Sequence, residues 1–184
     1  MSNSQKQAVI TPVEKQGKDR TLIENWRPIS LVNVDAKIIS KVISSRIKNV
    51  LPYVIHSNQT GHVKGRYIGE TVRSIFDIMD FTEKENIPGL MIFIDFRKAF
   101  DILEWSFLFN CLDSFNFGNE FKRWISTFYK NIQSVINNGL SSEYFNLTRG
   151  VRQGDPLPPY LFLLAVETLA IAIRENEEIK GICN

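Results

Sequence analysis

From Val34 onward, apolar residues recur at intervals of three and four, at Ile38, Ile39, Val42, Ile43, Ile47 and Val50, with Lys37, Lys41, Ser44 and Lys48 between them. That is the helical period, so an amphipathic helix is predicted, closed by Pro52, whose ring has no N–H to continue the ladder. A second stripe, Val72, Ile75, Phe76 and Met79, follows Gly65-Arg66-Tyr67-Ile68-Gly69 and runs to Phe81 before Pro88-Gly89, which predicts a second helix. The continuous apolar run Leu90-Met91-Ile92-Phe93-Ile94 predicts a buried strand that ends in a carboxylate, Asp95. Trp105, Leu108, Leu112 and Phe115 mark a third helix, and Phe121, Trp124, Ile125, Phe128 and Tyr129 a fourth. Residues 133–137 and 143–147 flank a turn rich in Asn, Gly and Ser and predict a hairpin. The Leu- and Phe-rich stretch 161–173 predicts a mostly buried helix that stops near Glu175-Asn176-Glu177-Glu178. Residues 1–20 are polar; the stretch 17–20 reads as a turn or loop, and the chain start is expected to fray.

Composition excludes a disordered tail: 184 residues, 43% hydrophobic and 23% charged, suffice for one core or two small lobes. No apolar run approaches a membrane span, and no basic, apolar, small-residue succession opens the chain. The expectation is an intracellular protein, nuclear or cytoplasmic, with no membrane partner. Cys111 and Cys183 lack CxxC or Cys/His spacing, which argues against a zinc site and predicts two inert thiols. The net charge of +2 hides an asymmetry. Residues 1–73 hold 12 Lys and Arg against 5 Asp and Glu, and residues 74–184 hold 10 against 15. A basic half joined to an acidic half suits a protein that grips phosphates with one part and cations with the other; two solvated faces are the plainer alternative.

Asp95 poses the sharpest chemical question. A carboxylate in a dry interior is costly unless it is paired or bound to a cation. A strand that ends in Asp and turns into a helix is a common way to hold a hard cation such as Mg²⁺ at a sheet edge, although a helix cap or salt bridge would use the same pattern.

Three blocks narrow the choice: Asn25-Trp26-Arg27-Pro28-Ile29-Ser30-Leu31, Asp95-Phe96-Arg97-Lys98-Ala99-Phe100-Asp101 and Arg149-Gly150-Val151-Arg152-Gln153-Gly154-Asp155-Pro156-Leu157. In this order and separation they resemble the reverse transcriptase domain of non-LTR (LINE-type) retrotransposons, over nearly the whole chain. The resemblance implies an α+β fold of the right-hand polymerase type: a flexible segment and the start of a fingers hairpin over 1–20, fingers over 21–88, and a partial palm over 89–184. It implies that Asp95, assisted by the carbonyl of Phe96, holds Mg²⁺, with Mn²⁺ as the substitute. It implies two-metal transfer in which a DNA primer's 3'-hydroxyl attacks a deoxynucleoside triphosphate on an RNA template. Phe100 would lie under the sugar and exclude a ribose hydroxyl. Arg27 would contact the triphosphate, with Lys15 or Lys18 beside it across the hairpin. Gln153 and Gly154 would approach the incoming nucleotide and template base, Arg149 and Arg152 nearby phosphates, and Arg66 the template backbone.

The sequence also departs from the family pattern. The family carries a second, paired aspartate motif after the helix at 161–173, and this sequence has no AspAsp dipeptide. With one of three metal-binding carboxylates, the two-metal site is expected to be incomplete and the chain inactive alone. Asp101 and Asp155 lie in other elements and are not expected to substitute. Pro158 stands where Ser is usual, and His62 where a large aromatic is common. The alternatives are a non-catalytic nucleic-acid-binding module, which keeps the basic half, and an element remnant without a role. Pairing with a longer reverse transcriptase is left open.

Overall fold

The computed structural model describes residues 1–181, so Cys183 lies outside the described residues. A short helix α1 (Asn3–Lys6) leads into strand β1 (Gln7–Glu14), which turns through a 3-10 segment at Ile23–Asn25 into strand β2 (Trp26–Val32). Helices α2 (Val34–Val54), α3 (Ile68–Lys84), α4 (Ala99–Ile102), α5 (Trp105–Ser114) and α6 (Asn119–Tyr129) follow. Strands β3 (Gln133–Ile136) and β4 (Phe145–Asn146) precede the last helix, α7 (Pro158–Arg174).

The four strands form one mixed sheet in the order β2-β1-β3-β4. β1 pairs antiparallel with β2, from Ala8 opposite Val32 to Glu14 opposite Trp26. It also pairs in parallel with β3, from Gln7 opposite Gln133 to Ile10 opposite Ile136, so the sheet ties the basic N-terminal part to the acidic remainder. Hydropathy did not reveal β1 or β2 because each carries a proline, which normally demotes a strand. Pro12 and Pro28 stand directly opposite each other. The N–H of Ser30, two residues after Pro28, points away from β1 and donates to the carbonyl of Gln153 at 2.8 Å. By the same alternation the nitrogens of both prolines point away from their shared ladder, where a missing donor costs it nothing.

The core lies where α2, α5, α6 and α7 meet. Leu51, Leu108, Leu112, Ile125, Ile132, Leu157, Leu161 and Leu164 are completely buried there. Truncating any of these leucines to alanine costs about 2–5 kcal/mol, since the transfer and cavity terms add.

Two predicted elements differ from the structure. Helix α2 does not stop at Pro52; it continues to Val54 with Pro52 inside its last turn. The carbonyls at this helix end and in the loop after it find a side-chain donor. The guanidinium of Arg66 donates to the carbonyls of Pro52 (3.2 Å), Ile55 (2.9 Å), His56 (2.5 Å) and Gln59 (2.7 Å). The predicted buried strand over 90–95 is not formed. Residues 89–96 have no regular secondary structure, and Leu90, Ile92, Phe93 and Ile94 are 86, 71, 77 and 60% exposed. A strand exists only with a partner, and no described residue pairs with this run. Its apolar character survives, but its burial does not.

Candidate nucleotide and template site

The segment 149–154 is fixed by main-chain bonds on two sides. Toward α4, the N–H of Gly150 donates to Leu103 O (2.8 Å) and that of Val151 to Phe100 O (2.6 Å). The indole Nε1 of Trp105 donates to Gly150 O at 2.8 Å. Toward the sheet, Gln153 O accepts from Ser30 on the outer edge of β2. Two glycines make this route sterically open. Gly150 has φ +84°, and a Cβ there would stand 2.7 Å from the carbonyl oxygen of Asp101. Gly154 has φ +99°, and its Cβ would meet the Ser30 carbonyl at 3.0 Å. A side chain at either position would push the segment off its supports.

These bonds bring the second and third sequence blocks together against the β1–β2 hairpin. The space between them is a cavity of about 190 Å³ lined by Ile10, Pro28, Ser30, Asp101, Arg149 and Gln153, among others. The Asp101 carboxylate accepts from Gln153 Nε2 at 3.2 Å. Burial raises the pKa of Asp101, while that hydrogen bond and Lys98 hold the shift back. Arg149 is exposed at the rim and pairs with Glu104 at 3.5 Å.

Other expected site residues sit elsewhere. Arg27 is exposed on β2. Strand alternation puts it on the face opposite Pro28 and Ser30, so it does not line this cavity. Lys15 spends its ammonium on Glu24 O at 3.0 Å, bridging the base of the hairpin loop, and Lys18 is exposed. Phe100 is half-buried on Phe162, ring centroids 5.3 Å apart, and Phe96 meets the same ring edge-on at 5.9 Å.

Two arginines expected at phosphates serve the fold instead. Arg66 holds the four carbonyls at the end of α2 described above. Arg152 is 9% exposed and donates to the carbonyls of Lys6 and Gln133. Burial lowers its pKa, opposed by Tyr129 and Asp155. Asp155 completes this interior cluster by accepting from Ser40 Oγ at 2.7 Å, and burial raises its pKa. Burial likewise pushes the Tyr129 hydroxyl and the Cys111 thiol upward, which keeps both neutral.

Asp95 is exposed, so the desolvation argument for a bound cation does not apply to it. Among the described residues no group of three or more His, Cys, Asp or Glu side chains converges as a metal site would require. The residues therefore do not fit a two-ion centre by themselves.

Comparison with protein families places nearly the whole chain in one family. Residues 13–183 match the model for reverse transcriptase (RNA-dependent DNA polymerase). The chain belongs to the reverse transcriptase family. It is 36% identical over 172 residues to a Xenopus laevis protein, "Transposon TX1 uncharacterized 149 kDa protein", covering 93% of this chain and 13% of that one. It is 26% identical over 161 residues to the "Retrovirus-related Pol polyprotein from type-1 retrotransposable element R2" of Popillia japonica, covering 85% of this chain and 22% of the relative. A "Putative 115 kDa protein in type-1 retrotransposable element R1DM" of Drosophila melanogaster is also 26% identical over 161 residues, 88% of this chain and 15% of its own length. These relatives are non-LTR retrotransposon proteins, and this reverse transcriptase chain spans under a quarter of each. Its mixed helix-and-sheet fold suits the family. Among the described residues no helix is long and apolar enough to cross a membrane.

Sequence reasoning named Gln153 and Gly154 but not the supports under them. Asp101 and Gly150 both lay inside quoted blocks. What no pattern signalled was that the two blocks meet. The Ser40–Asp155 bond spans 115 positions in sequence and had no local signature.

Proposed function

We propose that the chain supplies the nucleotide- and template-facing part of an RNA-directed DNA polymerase of a non-LTR retrotransposon. The observation that carries this reading is the cavity in which Gln153 and Asp101 meet the β1–β2 hairpin, with Gly154 held against the Ser30 carbonyl. Its ligand would be a deoxynucleoside triphosphate paired to an RNA template at a DNA primer end. Arg149 at the rim is the cation this cavity offers to phosphates, where a planar fork of donors suits phosphate oxygens, while Arg27 faces the other side of the hairpin. Asp95 would contribute one carboxylate of the Mg²⁺ site. With one carboxylate, the purified chain is expected not to extend a primer.

The test is binding of a fluorescent deoxynucleoside triphosphate to the chain with an RNA template and DNA primer present. Gln153→Ala is expected to weaken it about tenfold, the cost of roughly one hydrogen bond. Unchanged binding in Gln153→Ala would contradict the assignment. Primer extension above the level of an Asp95→Ala control would overturn the expectation of inactivity while strengthening that of Asp95. A nucleic-acid-binding module without nucleotide recognition is the second reading, favoured by the excess of Lys and Arg in residues 1–73. It predicts primer–template binding indifferent to the nucleotide.

A further inference from the structure

We infer that Asp101 is a positioning residue: it fixes which end of the Gln153 side-chain amide faces the cavity, so that Gln153 selects ligands by a hydrogen-bond donor. The chemistry of the pair requires this. An ionised carboxylate only accepts, so the Gln153 end beside Asp101 must be Nε2, which donates to it at 3.2 Å. Oε1 is then the end left over, and it makes no hydrogen bond to any other described residue. Gln153 and Asp101 both line the cavity of about 190 Å³. An amide held by one end cannot rotate to suit its ligand. Without Asp101, the same glutamine would offer a donor or an acceptor equally well. With it, the free end of the Gln153 amide is its acceptor, Oε1.

Both partners are themselves held. The Asp101 backbone N–H donates to Lys98 O at 2.8 Å, and Gln153 O accepts from Ser30. The carbonyl of Asp101 stands where a Cβ on residue 150 would strike it, so the turn carrying Asp101 and the loop carrying Gln153 are in direct contact. Each of the flanking bonds is made by main chain or by Trp105; the Asp101 side chain has Gln153 as its only side-chain partner among the described residues. Its role is therefore separable from folding. The group that Oε1 would recognise is an N–H or O–H donor, either a sugar hydroxyl or an exocyclic amine on a base. This identity of the ligand rests on the nucleotide-binding function proposed above; the orientation of the amide does not.

The test has two parts. In the ¹⁵N-labelled chain, the Gln153 side-chain amide, assigned by its loss in Gln153→Ala, is expected to show one proton shifted downfield and protected from exchange. Asp101→Ala should return it to the position of a free glutamine without loss of the folded far-UV signal, and Asp101→Asn, which keeps an acceptor and the volume, should restore the shift in part. A free-glutamine signal in the wild-type chain would overturn the inference. The second part compares binding of a 2'-deoxynucleoside triphosphate with its 2',3'-dideoxy form, and of an amino-bearing base with one lacking the amine, on matched primer–templates. The wild type is expected to favour the donor-bearing member of one pair about tenfold, and Asp101→Ala to narrow that preference, because an amide free to turn is no longer held with its acceptor toward the ligand. The pair that responds identifies the donor as sugar or base. A preference undiminished in Asp101→Ala would overturn the inference. If the amide signature is present and Asp101-dependent while no nucleotide binds, the positioning stands and the nucleotide-binding function falls.

Discussion

At the scale of single residues, Asp101, Arg152 and Asp155 respond to burial more than to their partners, and for Asp155 that gives a defined pH behaviour. Asp155 is raised chiefly because its carboxylate is taken out of water, with Ser40, Arg152 and Lys37 only partly compensating. A carboxyl whose folded pKa exceeds its unfolded value, about 3.9, binds its proton more tightly in the folded chain. Its contribution to stability is therefore fully present below the unfolded value and is lost as pH rises through the folded one. Urea unfolding of wild type and Asp155→Asn across that window should show the wild type losing stability relative to the variant as pH rises, and a constant gap across the window would contradict this. Asp155→Ala should cost about 1–3 kcal/mol at neutral pH, because it strands the fully buried Ser40 hydroxyl. Gly150→Ala should cost more than about 1 kcal/mol, since its φ is positive and the new methyl would meet the Asp101 carbonyl at 2.7 Å.

At the scale of elements, Arg66 shows how a residue type can mislead. An arginine in a basic region beside Gly65 reads as a phosphate contact, yet its guanidinium closes the end of α2 and the loop after it. Arg66→Lys should destabilise the chain by about 1–3 kcal/mol, since a point ammonium cannot reproduce a planar fork on several carbonyls. A phosphate role would instead give unchanged stability with weaker RNA binding, so a denaturation curve beside a binding curve separates the two. The helices were legible because their apolar period is set by contacts on one face, as in α5, α6 and the buried α7. The β1–β2 hairpin was not legible from hydropathy, since Pro12 and Pro28 mask it and its edge bonds to Gln153 lie far away in sequence. The run at 90–94 failed for a different reason: its composition is that of a buried strand, but burial needs a partner strand, and composition does not say where one is.

At the scale of the whole molecule, this exposed run shares its surface with other apolar groups. Leu90, Met91 and Phe93 line a hollow with Ile78, Met79 and Ile87 at the C-terminal end of α3. The helix itself buries no residue completely, and Phe76 is 60% exposed. A surface of this kind binds hydrophobic dyes and promotes association. Phe93→Ser is expected to reduce dye binding and aggregation while leaving the melting temperature within about 2 °C, the response of a largely exposed side chain. A large fall in melting temperature would mean that the run is packed in solution.

The catalytic side of the proposal was legible in sequence only as far as its motifs. Asp95 and Phe100 were identified by their block, but among the described residues no group of three or more His, Cys, Asp or Glu converges on Asp95, and Phe100 packs onto Phe162. The binding side was more fully encoded, because Gln153 and Gly154 sit in the same short stretch as the glycine that fixes their backbone. The central claim is that this stretch, docked on the hairpin, faces a nucleotide on a primed RNA template. The most direct measurement is equilibrium binding of an RNA-template/DNA-primer duplex to the purified chain, from about 50 to about 200 mM salt, with and without the complementary deoxynucleoside triphosphate. Affinity should fall steeply with salt and be strengthened by the complementary nucleotide over a mismatched one; salt-independent or undetectable binding, or indifference to the nucleotide, would contradict the claim.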